Sequence, residues 1–169
     1  MYLPARDSIK KVIVLALVLW GFWVPVLAAQ DKPAIVVHAF KTADGVSWPY
    51  DMKQMATQTL AELQNKDGKK YLIAGDVPEA RSHYYVLDGE VREWHPGNRA
   101  KRMLVGVGTG RETAKIHYWL SDETGKKVFE HEDVIRAEYW GNAYAESVGQ
   151  LAHPFADKIS GRLGEAKLQ

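Results

Sequence analysis

The sequence predicts an α/β domain of the α+β type, with a mixed or mostly antiparallel sheet of about five strands and two main helices packed on one face. Three observations lead there. After residue 33 the chain carries five short runs that are β-branched or alternate apolar with polar. Two longer segments repeat apolar residues every three to four positions, as amphipathic helices do. The length of 169 residues fits one domain.

The first element in order is an address. Lys10 and Lys11 precede an apolar run from Val12 to Val24, followed by Pro25 and the small-residue site Val26-Leu27-Ala28. This is the three-part layout of a secretory signal, with cleavage expected after Ala28 or Ala29. An uncleaved anchor is the alternative, since Val12–Ala29 approaches the length of a spanning helix. Gly21 and Pro25 weigh against it. The division is therefore 1–28 signal peptide and 29–169 single exported domain, in the periplasm, touching the membrane only through the signal sequence before cleavage.

"AIVVHAF" (Ala34–Phe40) is short and β-branched, a buried strand. A helix is predicted from about Tyr50 to Lys66, because Met52, Met55, Ala56, Thr59, Leu60 and Leu63 share one face and "KDGKK" ends it. "YLIAGD" (Tyr71–Asp76) is a second strand, and "YYVLDGEVREWHPG" (Tyr84–Gly97) a third. "TAKIHYWLSD" (Thr113–Asp122) alternates, placing Ala114, Ile116, Tyr118 and Leu120 on one face and Trp119 on the other with Lys115 and His117. After the turn "DETGKK", "VFEHEDVIRAEYW" (Val128–Trp140) is a fifth strand, whose apolar phase changes between Phe129 and Val134 and so suggests a bulge or an exposed edge. Tyr144, Val148, Leu151, Phe155, Ile159 and Leu163 step by three and four through a last helix that Pro154 should kink or divide.

Bulk composition excludes several functions. With no cysteine the chain has no disulfide, thiolate metal site or lipid-bearing cysteine. Its 22 basic and 21 acidic residues leave a formal charge of +1, without the positive field that nucleic-acid binding needs.

The stretch "LVGVGTGRE" (Leu104–Glu112) raises the question of phosphate binding. Gly106, Gly108 and Gly110 are spaced G-x-G-x-G and precede a strand, so neither the dinucleotide fingerprint nor the P-loop is present. Close packing against another backbone or an aromatic ring is the simpler reading. Arg99, Lys101, Arg102 and Arg111 nevertheless crowd this segment, and with the glycine amides they could hold an anion.

The segment "YYVLDGEVREWHPGNRAKRMLVGVGTGRETAKIHYWLSDETGKKVFE" resembles the bacterial exported domain-of-unknown-function family 4410, lipoprotein-like envelope proteins. The positions carrying the resemblance are Gly97, Asn98, Arg99, Arg102, Gly106, Gly108, Gly110, Asp122, Thr124 and Gly125, within a similarity from Ile35 to Leu163. It implies an exported α/β domain and brings no activity with it. This chain departs from the lipoproteins of that family in having no lipobox cysteine.

Six scattered histidines contain no metal motif, although His131 and Asp133 would form a cluster if they met His117 across the hairpin; no metal and no cofactor is assigned. Neither Ser82 nor Ser147 stands in a nucleophile elbow, so catalytic residues are not assigned and the chain leans away from enzymes. The leading function is a non-enzymatic binding or interaction domain of the cell envelope, centred on Trp119 and the Arg99–Arg111 segment, with an envelope protein or a second copy of the chain as partner. The alternatives are a small-molecule or anion-binding protein using Arg99, Arg102, Gly106, Gly108, Gly110 and Arg111, and an envelope hydrolase.

Overall fold

The β-branched run after Pro33 forms β1 (Ala34–Val37), buried along its whole length. The computed structural model describes residues 32–79, 81–98, 110–138, 148–166 and 168. The predicted strand Ala34–Phe40 is broken, and β2 (Lys41–Thr42) resumes its path. Val37 pairs with Leu87 and Lys41 with Glu90, so four steps of one chain face three of the other. The extra residue bends the backbone, and the Phe40 ring enters the core.

Asp51 caps α1 (Met52–Asp67) by accepting from the Lys53 amide at 2.9 Å, and the helix buries Met55, Ala56, Thr59 and Leu63. Next come β3 (Leu72–Ala74), β4 (Tyr85–His95), β5 (Thr113–Asp122), β6 (Lys127–Arg136) and α2 (Gly149–Glu165). The sheet is mixed and six-stranded, in the order β3-β1-β4-β5-β6 with β2 also on β4. β1 lies parallel to β3 and β4, whereas β4, β5 and β6 are antiparallel. The sixth strand arises from the break after Val37. Residues Pro33–Gln169 form one compact unit, and among the described residues no helix is long and apolar enough to cross a membrane.

Both helices lie on one side of the sheet, against Ile35, Val37, Leu87, Val91, Ala114, Ile116, Tyr118, Leu120 and Ile135. At the centre, Phe155 of α2 meets Tyr118 edge-on at 5.3 Å and Phe40 at 5.5 Å. Each such aromatic pair adds about 0.5–1.5 kcal/mol beyond area burial. Gly89 makes room for this arrangement: a Cβ there would stand 3.0 Å from Phe40 Cδ1.

Pro154 neither ends nor divides α2, which continues through it to Glu165. A proline at 154 cannot donate to the carbonyl of Gln150. That carbonyl instead accepts from the backbone N–H of Glu138 at 2.9 Å.

The apolar phase of β6 needs no mid-strand bulge. Phe129 and Ile135 face the helices, Val134 faces the other way and is 57% exposed, and the register slips at Val128, where Leu120 pairs with Phe129 but Ser121 with Lys127. The strand is also the sheet's edge.

Candidate interaction surface

Alternation along β5 sends Lys115, His117 and Trp119 to the face opposite α1 and α2. At β1 the residues of that face, Ala34 and Val36, are buried; over β4–β6 it carries the polar rows of three long strands. Trp119 stands between Asp88 of β4 and Glu130 of β6. Its ring is flanked by His117 at 5.1 Å and covered by Lys127 Nζ at 5.3 Å, within cation–π reach. The tryptophan is partly buried rather than fully exposed.

A bulge builds the charged part of this face. Val91 pairs with Ile116 and Glu93 with Lys115, leaving Arg92 as the extra residue. Arg92 and Glu93 therefore both serve the face opposite α1 and α2. Arg92 donates to Glu132 at 2.9 Å and lies 3.4 Å from Glu90; Lys115 bridges Glu93 at 3.1 Å and Glu132 at 3.0 Å. The Lys115 ammonium titrates above its ordinary value because Glu132 and Glu93 accept its hydrogen bonds. Correspondingly, the donated hydrogen bond of Lys115 holds the Glu132 carboxyl below the usual range, and that of Lys127, 2.6 Å away, does the same for Glu130.

His117 sits inside this network with a defined tautomer. Arg92 Nη2 lies 3.0 Å from its Nδ1, and a guanidinium can only donate, so Nδ1 accepts. Nε2 then carries the hydrogen and donates to Glu130 Oε1 at 2.7 Å. A cluster of His117 with His131 and Asp133 does not form: His117 pairs with Glu132, and His131 and Asp133 lie on the helix face beside Tyr118 and Ile116. Among the described residues no group of three His, Asp or Glu side chains is suited to a metal ion.

Arg99, Arg102, Gly106 and Gly108 lie outside the described residues. The Asn98 N–H donates to the Gly110 carbonyl at 2.7 Å and closes the base of the segment between them. Gly110 has φ 65°, a left-handed conformation, so the extended glycine pattern does not run through it. Gly110 and Arg111 precede β5, whereas Trp119 lies about 20 Å along that strand from Thr113 at 3.3 Å per residue. They belong to two places, not to one site.

The adjoining residue, Glu112, is a buried carboxylate absent from the expected site residues. It accepts from Trp94 Nε1 at 2.6 Å and from the Tyr50 hydroxyl at 2.8 Å, and its own carbonyl accepts from Ala137. Its sequence signal is parity: position 112 continues the buried series Ala114, Ile116, Tyr118, Leu120. This carboxylate ties the approach to α1, the end of β4 and the start of β5 into one unit.

A family model described as Domain of unknown function (DUF4410) matches residues 47–135, more than half of the chain. The chain belongs to this family. The matched part of the DUF4410 domain runs from the approach to α1 to the end of β6, so it includes Trp119, its charged surroundings and the Tyr50–Glu112–Trp94 contact. No curated protein matches the chain. Solved structures similar to this DUF4410 domain include PelC from Paraburkholderia phytofirmans, crystallised as a dodecamer, with 15% identity and a TM-score of 0.50 over 76% of this chain and 86% of that one. An uncharacterised protein superposes with a TM-score of 0.52 at 15% identity, covering 79% and 90%. The hypothetical protein CT253 from Chlamydia trachomatis gives 0.51 at 12%, covering 80% and 98%. At such identities the likeness is one of fold.

Proposed function

We propose that this DUF4410 domain is a non-enzymatic interaction module of the bacterial cell envelope, exported by a cleaved signal at residues 1–28, whose sheet face opposite α1 and α2 docks a second copy of the chain. The observation that carries the reading is Trp119, placed on the sheet face opposite α1 and α2, which no helix among the described residues covers, and framed by His117 and Lys127. Aromatic residues within a polar surround are typical anchors of protein interfaces. Two of the three large apolar residues most exposed in the described chain, Val128 and Val134, lie on the adjoining edge strand. The dodecamer of PelC, which shares the fold, makes a second copy the first partner to test.

Two differently tagged copies exported together should crosslink in the envelope, and Trp119→Ala should cut the crosslinked fraction several-fold while leaving the thermal midpoint near that of the parent. Absence of mixed crosslinks, or equal crosslinking by the variant, refutes the reading.

The Asn98–Gly110 hydrogen bond favours a second reading, anion binding by the loop whose base it closes, with Arg99, Arg102, Arg111 and the glycine amides of 106, 108 and 110 as donors. Arg102→Ala should then abolish binding of phosphate or a carboxylate without unfolding the domain. Equal affinity in parent and variant removes this reading.

A further inference from the structure

A groove of about 410 Å³ opens away from the Trp119 face, where β1 and β3 end beside the first turns of α1. Because β1 and β3 are parallel, their carboxyl ends open to the same side, the place where crossover-connected strands commonly leave a ligand crevice. Val37, Ala56 and Leu60 supply an apolar floor. The nearby Thr57 hydroxyl is already engaged, donating to the Lys53 carbonyl at 2.9 Å.

Two details suggest what the groove holds. Gly75 leaves one wall open: a Cβ there would lie 3.7 Å from Leu60 Cδ2, in ordinary contact, so a larger side chain fits the fold but occupies the groove. At the rim stand Lys53 and Asp76, opposite charges that both line the groove. Neither side chain has an ion-pair partner among the described residues, in contrast to Arg92, Lys115 and Lys127 on the sheet face.

We propose that this groove binds a small zwitterion with an apolar body, an amino acid or short peptide with free ends. Its carboxylate meets the Lys53 ammonium, its own ammonium meets the Asp76 carboxylate, and its apolar part covers Val37, Ala56 and Leu60. A ligand of one charge would leave one rim group unmatched. The volume falls within the range of about 300–1,000 Å³ that small-molecule sites occupy.

The test is an NMR titration of the exported chain with L-leucine and with dileucine, following the amides of Thr57, Gly75 and Asp76. At least one ligand should give saturable shifts at these positions; saturation by L-leucine identifies a free amino acid, and saturation by dileucine alone a short peptide. Lys53→Met and Asp76→Asn should each weaken binding about tenfold, the scale of one charge-assisted contact. Dileucine acetylated at one end and amidated at the other should bind at least as poorly, and Gly75→Val should abolish binding in a folded protein. No saturation by either ligand at about 10 mM, a concentration that fills a site of millimolar Kd, overturns the proposal. So does equal binding of the blocked dipeptide, or of the two charge variants. Trp119→Ala should leave the titration unchanged, which separates this site from the proposed interaction face.

Discussion

The backbone N–H of Glu138, two residues beyond β6, donates to the carbonyl of Gln150 in α2 at 2.9 Å. This is the carbonyl that Pro154 leaves without a helical donor, so the sheet repairs a gap in the helix. An interior proline ordinarily costs a helix about 3 kcal/mol relative to alanine. Pro154→Ala should recover less than about 1 kcal/mol, because the carbonyl is already paired and proline also restricts the unfolded chain. Hydrogen exchange should show the Glu138 amide protected in the parent and less protected in the variant, where a new N–H competes for the same oxygen. A gain near the full helix penalty would show that the Glu138 contact compensates for nothing.

Phe155 is fully buried between Phe40 and Tyr118. Phe155→Ala should cost about 3–5 kcal/mol, read from the urea midpoint. Gly89→Ala should cost about 1–3 kcal/mol through its clash with the Phe40 ring. Phe40→Leu in the same chain should reduce the second penalty, since contacting residues couple. A strictly additive double variant would contradict the contact.

Glu112 accepts two hydrogen bonds in a buried setting, and bonds to a charged group are worth about 1.5–3 kcal/mol each. Trp94→Phe and Tyr50→Phe should each destabilise by about that much. In a Glu112→Leu background both losses should shrink, and a double-mutant cycle on urea midpoints measures the difference.

Acid should destabilise the β5–β6 hairpin through carboxylates on the strands and in the turn. The Asp122 carboxylate is held below its ordinary range chiefly by the Thr124 hydroxyl at 2.6 Å, with the amides of Thr124 and Lys126 adding to the effect. Glu130 and Glu132 are lowered by Lys127 and Lys115. A carboxyl whose folded value lies below its unfolded one contributes stability that is present above the unfolded value and is lost as pH falls through the folded value. The urea midpoint should therefore hold from neutrality down to about pH 5 and decline below about pH 4. Asp122→Asn should flatten part of this decline, while added salt should weaken only the share owed to the lysines.

Nitrogen NMR of His117 at mildly alkaline pH should report the neutral tautomer with hydrogen on Nε2, as the Arg92 and Glu130 contacts require. The other neutral tautomer in the parent would refute the assigned network.

The elements themselves were legible from local pattern. Period-two alternation placed Ala114, Ile116, Tyr118 and Leu120 on the buried face and Trp119 opposite them, and three-to-four spacing located both helices, because burial on one side imposes those periods. The motif positions from Gly97 to Gly125 sufficed to recognise the family. Register lay beyond that reach. One extra residue at Arg92 aligns Glu93 with Lys115, one at the break after Val37 turns Phe40 into the core, and the pairing of β5 with β6 sets His117 against Glu132 instead of His131 and Asp133. A bulge or a pairing offset depends on which strands meet, through contacts far apart in the chain. The same holds for Glu112, which continues the parity of the buried series but whose partners Tyr50 and Trp94 come from elsewhere in the chain, and for Pro154, whose repair required the end of β6. The sequence by itself determined what each segment could become; the tertiary structure decided which polar groups met, because only the assembled sheet and helices bring distant donors and acceptors within hydrogen-bonding distance.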